Sequence, residues 1–466
     1  MNNFDFEAKP KFIPVLDKNF KPASLENKAF LDAVNKSGSG VPVKIALQRG
    51  EGLISVYSTK VFSEESKMAD ANNLYVERIV KSLLWVRGGY KITIGGPKSI
   101  GEYIRKAYTV GGIREFDAKF MSRVYEKDFT VVVTDYENVP EEMESAKPVG
   151  RHLEGCRIGL DLGGSDRKVS AVIDGEAVYS EEVIWHPKIQ NDPEYHFEEI
   201  VKALKTAAGY MPRVDGVGVS SAGIYIDNRV MIASLFLKVP DDLFDKQVKD
   251  ILKNAVKELG DVPLEVANDG DVTALAGAMD LNDNSVLGLA MGTSEAGGYV
   301  DGNGNITGWL TELAFVPVDY NPEAMVDEWS GDYGCGVKYF SQDAVIKLAP
   351  AAGIELDEKL SPAEKLKIVQ GLHEQGHEGA KQIFESIGCY LGYAIAHYAD
   401  FYDIRHILIL GRVTSGAGGN IIMHKAQEVL KGEFPNLAEK INLHLPDEQN
   451  RRVGQSIAAA SLPKLN

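Results

Sequence analysis

Apolar residues recur along this chain in two rhythms. Val43 to Gln48 and Leu53 to Phe62 alternate or run apolar on either side of Arg49-Gly50-Glu51-Gly52, which predicts two paired strands joined by a tight turn. Between 66 and 86 the spacing becomes helical, with Leu74, Val76, Ile79, Val80, Leu83 and Leu84 on the inward side. A strand is predicted over Tyr90 to Ile94, closed by Gly95-Gly96-Pro97 ahead of another helix, and a further strand over Phe129 to Thr134. Strand-rich stretches at Cys156 to Val183 and Val214 to Ile232 then alternate with helices, and a second set follows at Val286 to Val300 and His406 to Leu410. Residues 362 to 387 are amphipathic, and Arg452 to Ala460 reads as a final helix rich in small residues. The pattern is that of a mixed α/β protein.

Length turns this pattern into several domains, since 466 residues exceed one ordinary core. The acidic, proline-bearing stretch Tyr136 to Gly150 is the best linker candidate and sets off residues 1–150 as an N-terminal α/β domain. Three scattered cysteines are too few for a disulfide framework. With no apolar leader at the start and no apolar run long enough to span a bilayer, the expectation is a cytoplasmic protein without a membrane partner. Net charge is −17 and unevenly spread: residues 1–150 carry 22 Lys and Arg against 20 Asp and Glu, residues 151–466 carry 28 against 47. So acidic a body argues against a nucleic-acid partner, and the N-terminal region shows no short basic helix-turn-helix pattern.

Glycine punctuates the apolar runs in a way that carries chemistry. Asp161-Leu162-Gly163-Gly164-Ser165 follows the run Cys156 to Leu160. Downstream come Asn268-Asp269, then Gly292-Thr293-Ser294 with Gly297-Gly298, then Leu408-Ile409-Leu410-Gly411 running into Ser415-Gly416-Ala417-Gly418-Gly419. Lacking a Cβ, glycine lets backbone N–H groups approach phosphate oxygens and takes positive φ at little steric cost. A single such turn is as readily an ordinary tight turn; three in order, each after a strand-like run, point to an ATP-dependent phosphotransferase. Asp161 falls at a strand end, where its carboxylate would hold Mg²⁺ through water, because magnesium keeps most of its waters and takes few carboxylates. Ser165 would donate its hydroxyl to a phosphate oxygen, the plainer alternative being a turn or capping serine.

Residues from about 156 to 466 resemble the ROK family of sugar kinases, within the actin and hexokinase superfamily. Ile158 to Ser165 resembles its first phosphate motif, Val217 to Gly223 its segment bordering the sugar, and Val266-Ala267-Asn268-Asp269 its catalytic segment. Gly292-Thr293 is similar to the second phosphate motif, and Leu410-Gly411 with Gly416 to Gly419 to the adenosine motif. The resemblance implies two ribonuclease-H-like lobes facing each other across a nucleotide cleft, residues 151–285 and 286–466, with the last helix returning toward the first lobe. It implies that Gly163, Gly164, Ser165, Gly292, Thr293, Gly411, Gly416 and Gly418 bind ATP. Asn268, Glu312, Ser221 and Gly223 would border a small sugar-like substrate. Asp269 would take the proton from a sugar hydroxyl as it attacks the γ-phosphoryl group, a role that contributes roughly 10² to 10⁴-fold to rate. Relatives often associate, so a homodimer is a further expectation.

Departures from the family pattern bear on the acceptor. Glu312 is present, but Phe315 stands where the family has a histidine that grips sugar hydroxyls, and Val337 stands where it has a second sugar-binding glutamate. Only Cys335 remains of three zinc-binding cysteines, and a tetrahedral zinc site needs four donors, so no structural zinc is expected. Hydrogen bonds to charged partners are each worth about 1.5 to 3 kcal/mol. Their loss implies either a different acceptor, with Phe315, Trp309 or Trp329 stacking on a less polar face, or a non-catalytic nucleotide- or sugar-binding sensor. Arg412, where many relatives have a second glycine after Gly411, is a further departure. A rival motif, His373-Glu374-Gln375-Gly376-His377, fits the zinc-protease pattern of two histidines one helical turn apart. It requires an unbroken helix through Gly376.

Overall fold

The alternation around residue 50 forms the hairpin it predicts: Gly40–Gly50 pairs antiparallel with Leu53–Phe62, Val43 opposite Thr59. Lys91–Gly95 joins antiparallel to Gly40–Gly50, and Thr130–Thr134 lies parallel beside it. The stretch expected as a linker adds a fifth strand, Met143–Glu144, at the other edge against Leu53 and Ile54. It does so because Glu144 is drawn in by Arg49, whose Nη1 lies 3.2 Å from Oε1 while also donating to Ser55 Oγ at 2.7 Å. This computed structural model describes residues 6, 8–144, 149–446 and 448–465, leaving aside the side chains of 448–453.

The described chain divides into two units. The first comprises Met1–Ala146, Leu289–Gly297 and Trp309–Leu445; the second comprises Lys147–Gly288, Gly298–Gly308 and Pro446–Asn466. None of the helices is long and apolar enough to cross a membrane among the described residues.

In the second unit, five strands lie in the order Leu264–Asn268, Gly216–Ser221, Cys156–Leu162, Asp166–Ile173, Glu176–Ile184. The first three are mutually parallel and the last three form an antiparallel meander. Parallel strands end together, so the register sets Asp161 beside Ser220, Leu162 beside Ser221, and Asn268 beside Ser221. Ile158, Leu160, Val217 and Val219 pack with Ile200, Leu204, Val248 and Ile251 to form the core beneath. The final helix, Glu448–Ala460, lies on the parallel strands at backbone distance: a Cβ at Gly159 would collide with the Ser456 carbonyl, and one at Gly218 with that of Ala459.

In the first unit the helix predicted over 66–86 spans Ala71–Arg87, and it is buried all round from Tyr75 to Val86 rather than on one face. Charge pairing explains this. Arg78 Nη1 reaches Asp332 Oδ2 at 2.8 Å, Lys81 Nζ the same oxygen at 3.0 Å, and Arg114 Nη1 again at 2.9 Å. Glu77 and Asp117 supply the remaining anions, Glu77 bonded by Arg114 Nε and Asp117 lying 3.7 Å from Lys81. Buried charges persist only when paired in this manner.

A second sheet has the order Glu295–Val300, Val286–Met291, His406–Leu410, Asn442–His444. The amphipathic stretch around 374 is two helices, Pro362–Glu374 and Glu378–Tyr398, broken at Gly376, whose φ is +83°. His377 caps the second helix, its Nδ1 accepting from the Ala380 N–H at 3.3 Å. The two histidines therefore do not share one helical face, and the zinc-protease reading fails on geometry.

Candidate functional site

The Gly163–Ser165 turn joins the central strand of the second unit, Cys156–Leu162, to its antiparallel neighbour Asp166–Ile173. Both of its outer carbonyls are tied down by one residue: the Trp185 N–H donates to Ser165 O at 3.2 Å, and its indole Nε1 to Gly163 O at 2.7 Å. Gly163 N–H donates to Asp166 O at 3.0 Å, and Ser165 Oγ to Asp166 Oδ2 at 3.0 Å. Among the described residues, the N–H groups of Gly164 and Ser165 have no acceptor. Two adjacent free amides at a strand end are a cradle for anionic oxygens.

Beside this turn the parallel strand ends bring Asp161, Ser221, Gly223, Asn268 and Asp269 together. Asp161 Oδ1 accepts from Ser220 Oγ at 2.9 Å, and Lys168 Nζ lies 3.9 Å from Oδ2. Asn268 caps the helix Asp269–Leu281 by accepting from the Gly270 N–H at 2.8 Å, while its Nδ2 donates to Gly223 O at 2.8 Å. This fixes Asp269 at the first helical position, where the helix dipole favours a carboxylate. Burial pushes the Asp269 carboxyl up to about 6, with the Asp161 carboxylate adding to the shift. Such a value belongs to a group poised to exchange a proton near neutrality. Ser221 is fully buried and its hydroxyl donates to Leu162 O at 3.4 Å.

The remaining glycine turns belong to the first unit. Gly292 N–H donates to Ser294 O at 3.0 Å, and the N–H groups of Thr293 and Ser294 have no acceptor among the described residues. Gly411, at φ +98°, sits so close to Met291 that a Cβ would collide with its carbonyl, so the adenosine-like turn and the second phosphate-like turn are neighbours. Gly416 is exposed at the start of the helix Ala417–Glu433, whereas Gly418 is buried against the Phe384 ring. Arg412 is exposed, its carbonyl accepting from Gln370 Nε2 at 2.9 Å.

The segment around Glu312 in the first unit is set by the N-terminal region. The last carbonyls of the helix Ala71–Arg87 accept from this segment, Val86 from Thr311 and Trp85 from Glu312, both at 3.0 Å. Helix ends need such partners. Phe315 stacks on Trp85 with ring centroids 4.1 Å apart, within an aromatic cluster that includes Phe116 and Phe120. Trp309 carries the Arg87 guanidinium 3.2 Å from its ring centroid, and Trp329 is exposed. Cys335 is buried, 3.8 Å from Asp332 O. Among the described residues no three or more His, Cys, Asp or Glu side chains group to hold a metal.

Sequence reasoning missed Ser220, one place before the residue it chose, and the cations Lys168 and Lys188 beside the first turn. Strand register would have found Ser220, since it is the residue directly opposite Asp161.

The strand order and glycine turns define a mixed α/β protein of the actin-like fold. The family model described as ROK family matches residues 157–459, and the chain belongs to the ROK family. Solved structures agree on the fold. A ROK family transcriptional regulator, a homologue of the E. coli Mlc protein, aligns with TM-score 0.53 and 18% identity over 66% of this chain and 79% of its own. A ROK hexokinase from Thermus thermophilus aligns with TM-score 0.50 and 19% identity over 65% of this chain and 97% of its own. No curated protein sequence matches the chain.

Proposed function

We propose that the protein is an ATP-dependent phosphotransferase that phosphorylates a hydroxyl of a sugar or sugar derivative, a divergent member of its family. The observation that carries this reading is Asp269, held at a helix start beside Asp161 with its carboxyl raised to about 6. At neutral pH it is mostly ionised and accepts the proton of an attacking hydroxyl. Asn268 retains one amide hydrogen beyond its bond to Gly223 O, available to a neighbouring hydroxyl. Ser221 and Gly223 border that position.

In the second unit the free amides of Gly164 and Ser165 are the groups that would hold phosphate oxygens of ATP; in the first unit those of Thr293 and Ser294, with Gly411, Gly416 and Gly418, are the candidates for nucleotide contact. Asp161 would hold Mg²⁺ through water; the ion, when bound, neutralises charge on the transferring phosphoryl group. Two coupled carboxylates suit that role, because a divalent cation there would offset the Asp161 charge that adds to the effect of burial in raising Asp269. A soluble small-molecule enzyme, acting without nucleic acid, is consistent with the acidic balance of residues 151–466.

A second reading is a non-catalytic sugar- or nucleotide-binding sensor, favoured by Phe315, which places an aromatic ring held by Trp85 where a sugar-gripping histidine was expected. ADP release from Mg-ATP, measured across hexoses, amino sugars, N-acetyl sugars and polyols, separates the two. Acceptor-dependent release that disappears in Asp269→Ala supports the kinase; release that persists in that variant refutes the assignment of the base. ATP binding without turnover on any acceptor supports the sensor.

A further inference from the structure

We propose that Lys188 is the cation with which this chain grips the polyphosphate of its nucleotide at the Gly163–Ser165 turn. The inference rests on the nucleotide-binding reading above and adds a residue to it. The turn is poor in positive charge: Asp161 and Asp166 flank it, and Lys168 is engaged by both, at 3.9 and 3.5 Å. Lys188 is different. It is exposed, and among the described residues no carboxylate pairs with it.

Its side chain nonetheless lies over the turn. A Cβ built on Gly164 would stand 2.6 Å from Lys188 Cε and 2.8 Å from Nζ, so the ammonium hovers beside the residue whose amide is free. The backbone that carries it is fixed on both sides. Buried Trp185 binds the turn through two hydrogen bonds, and Pro187 O accepts from His196 Nε2 at 3.1 Å, with His196 wholly buried. A merely solvated lysine needs no such support. Here a short segment, residues 185–189, is locked to the turn and delivers an unpaired ammonium to it. A polyphosphate bound at the free amides would find in Lys188 the charge that Asp161 and Asp166 deny it.

Calorimetric titration of wild type, Lys188→Met and Lys188→Arg with Mg-ATP, inorganic tripolyphosphate and adenosine tests this. Lys188→Met should weaken Mg-ATP about 10- to 100-fold, leave adenosine unchanged, and be largely rescued by arginine. Tripolyphosphate binding that falls in parallel shows that the phosphate chain alone is recognised; loss confined to Mg-ATP shows that the nucleotide is the source. Unchanged Mg-ATP affinity in Lys188→Met overturns the role of the lysine and leaves the kinase intact. Equal losses for adenosine and Mg-ATP overturn it as structural damage. A wild-type protein that binds no Mg-ATP overturns both.

Discussion

Replacing Glu295 with glutamine should remove a pH dependence from the stability of the first unit. Glu295 opens the strand Glu295–Val300 two residues after Thr293, with 3% of its surface exposed. Its Oε1 accepts from Tyr398 O–H at 3.1 Å, while Oε2 is buried without a partner against Gly336. Burial pushes the carboxyl from 4.5 up to about 8, opposed by the tyrosine bond. A raised carboxyl pKa means that the folded state keeps a proton that the unfolded state releases. The stabilising contribution is therefore complete below about pH 4.5 and is lost as pH rises through about 8. Between pH 5.5 and 7.5 the slope approaches roughly 1.4 kcal/mol per pH unit, or about 3 kcal/mol across that window. Glutamine cannot titrate, and every other group cancels in the difference between the two proteins. Urea unfolding at several pH values reads it, followed by tryptophan fluorescence, since Trp85, Trp309 and Trp329 all lie in this unit. Parallel stability curves for wild type and Glu295→Gln would refute the reasoning.

Two more predictions test the charges around the site. The acid limb of kcat/KM should fall near pH 6, where Asp269 titrates, and Asp161→Asn should move it to lower pH by removing the neighbouring charge; a limb that stays in place sinks the coupling. Asp332→Asn strips the shared anion from Arg78, Lys81 and Arg114, so the urea midpoint should drop by the equivalent of about 3 to 5 kcal/mol, and a midpoint within experimental error of wild type would show that the cluster is not held by Asp332.

Much of the fold was legible because its signals are local. The hairpin around Gly50, the strand before Asp161 and the helix after Asn268 each follow from periodicity and capping within a dozen residues. Asn268 caps its helix through a local signal, because Asn and Asp at a strand end before small apolar residues are helix starters. What escaped the sequence depends on distant partners. The spacing of Leu74, Val76, Ile79, Val80, Leu83 and Leu84 predicts one inward side, and only Asp332, some 250 residues later, turns the face of Arg78 and Lys81 inward as well. Met143–Glu144 lies in the predicted linker stretch, and its strand depends on distant Arg49. Lys188 had no motif around it; its meaning comes from Gly164, reached only after a full hairpin.

The same long-range partners bear on whether Phe315 marks decay or redirection. Decay would leave a lost histidine as a hole or an exposed apolar side chain, with its supports unchanged. Instead Phe315 stacks on Trp85, the Glu312 and Thr311 amides are taken by the carbonyls of Trp85 and Val86, and the loop ending at buried Cys335 is pinned through Asp332 by Arg78 and Lys81. All of these partners come from one N-terminal helix, and one of them, Trp85, meets Phe315, where the chain departs from the sugar-kinase pattern. Burying three cations and three carboxylates is costly unless their pairing is maintained, so this packing depends on the helix and the 332–335 loop holding each other in place. The N-terminal region and the segment around Phe315 are thus packed as one assembly, which, on the kinase reading proposed above, favours a changed acceptor over an abandoned one.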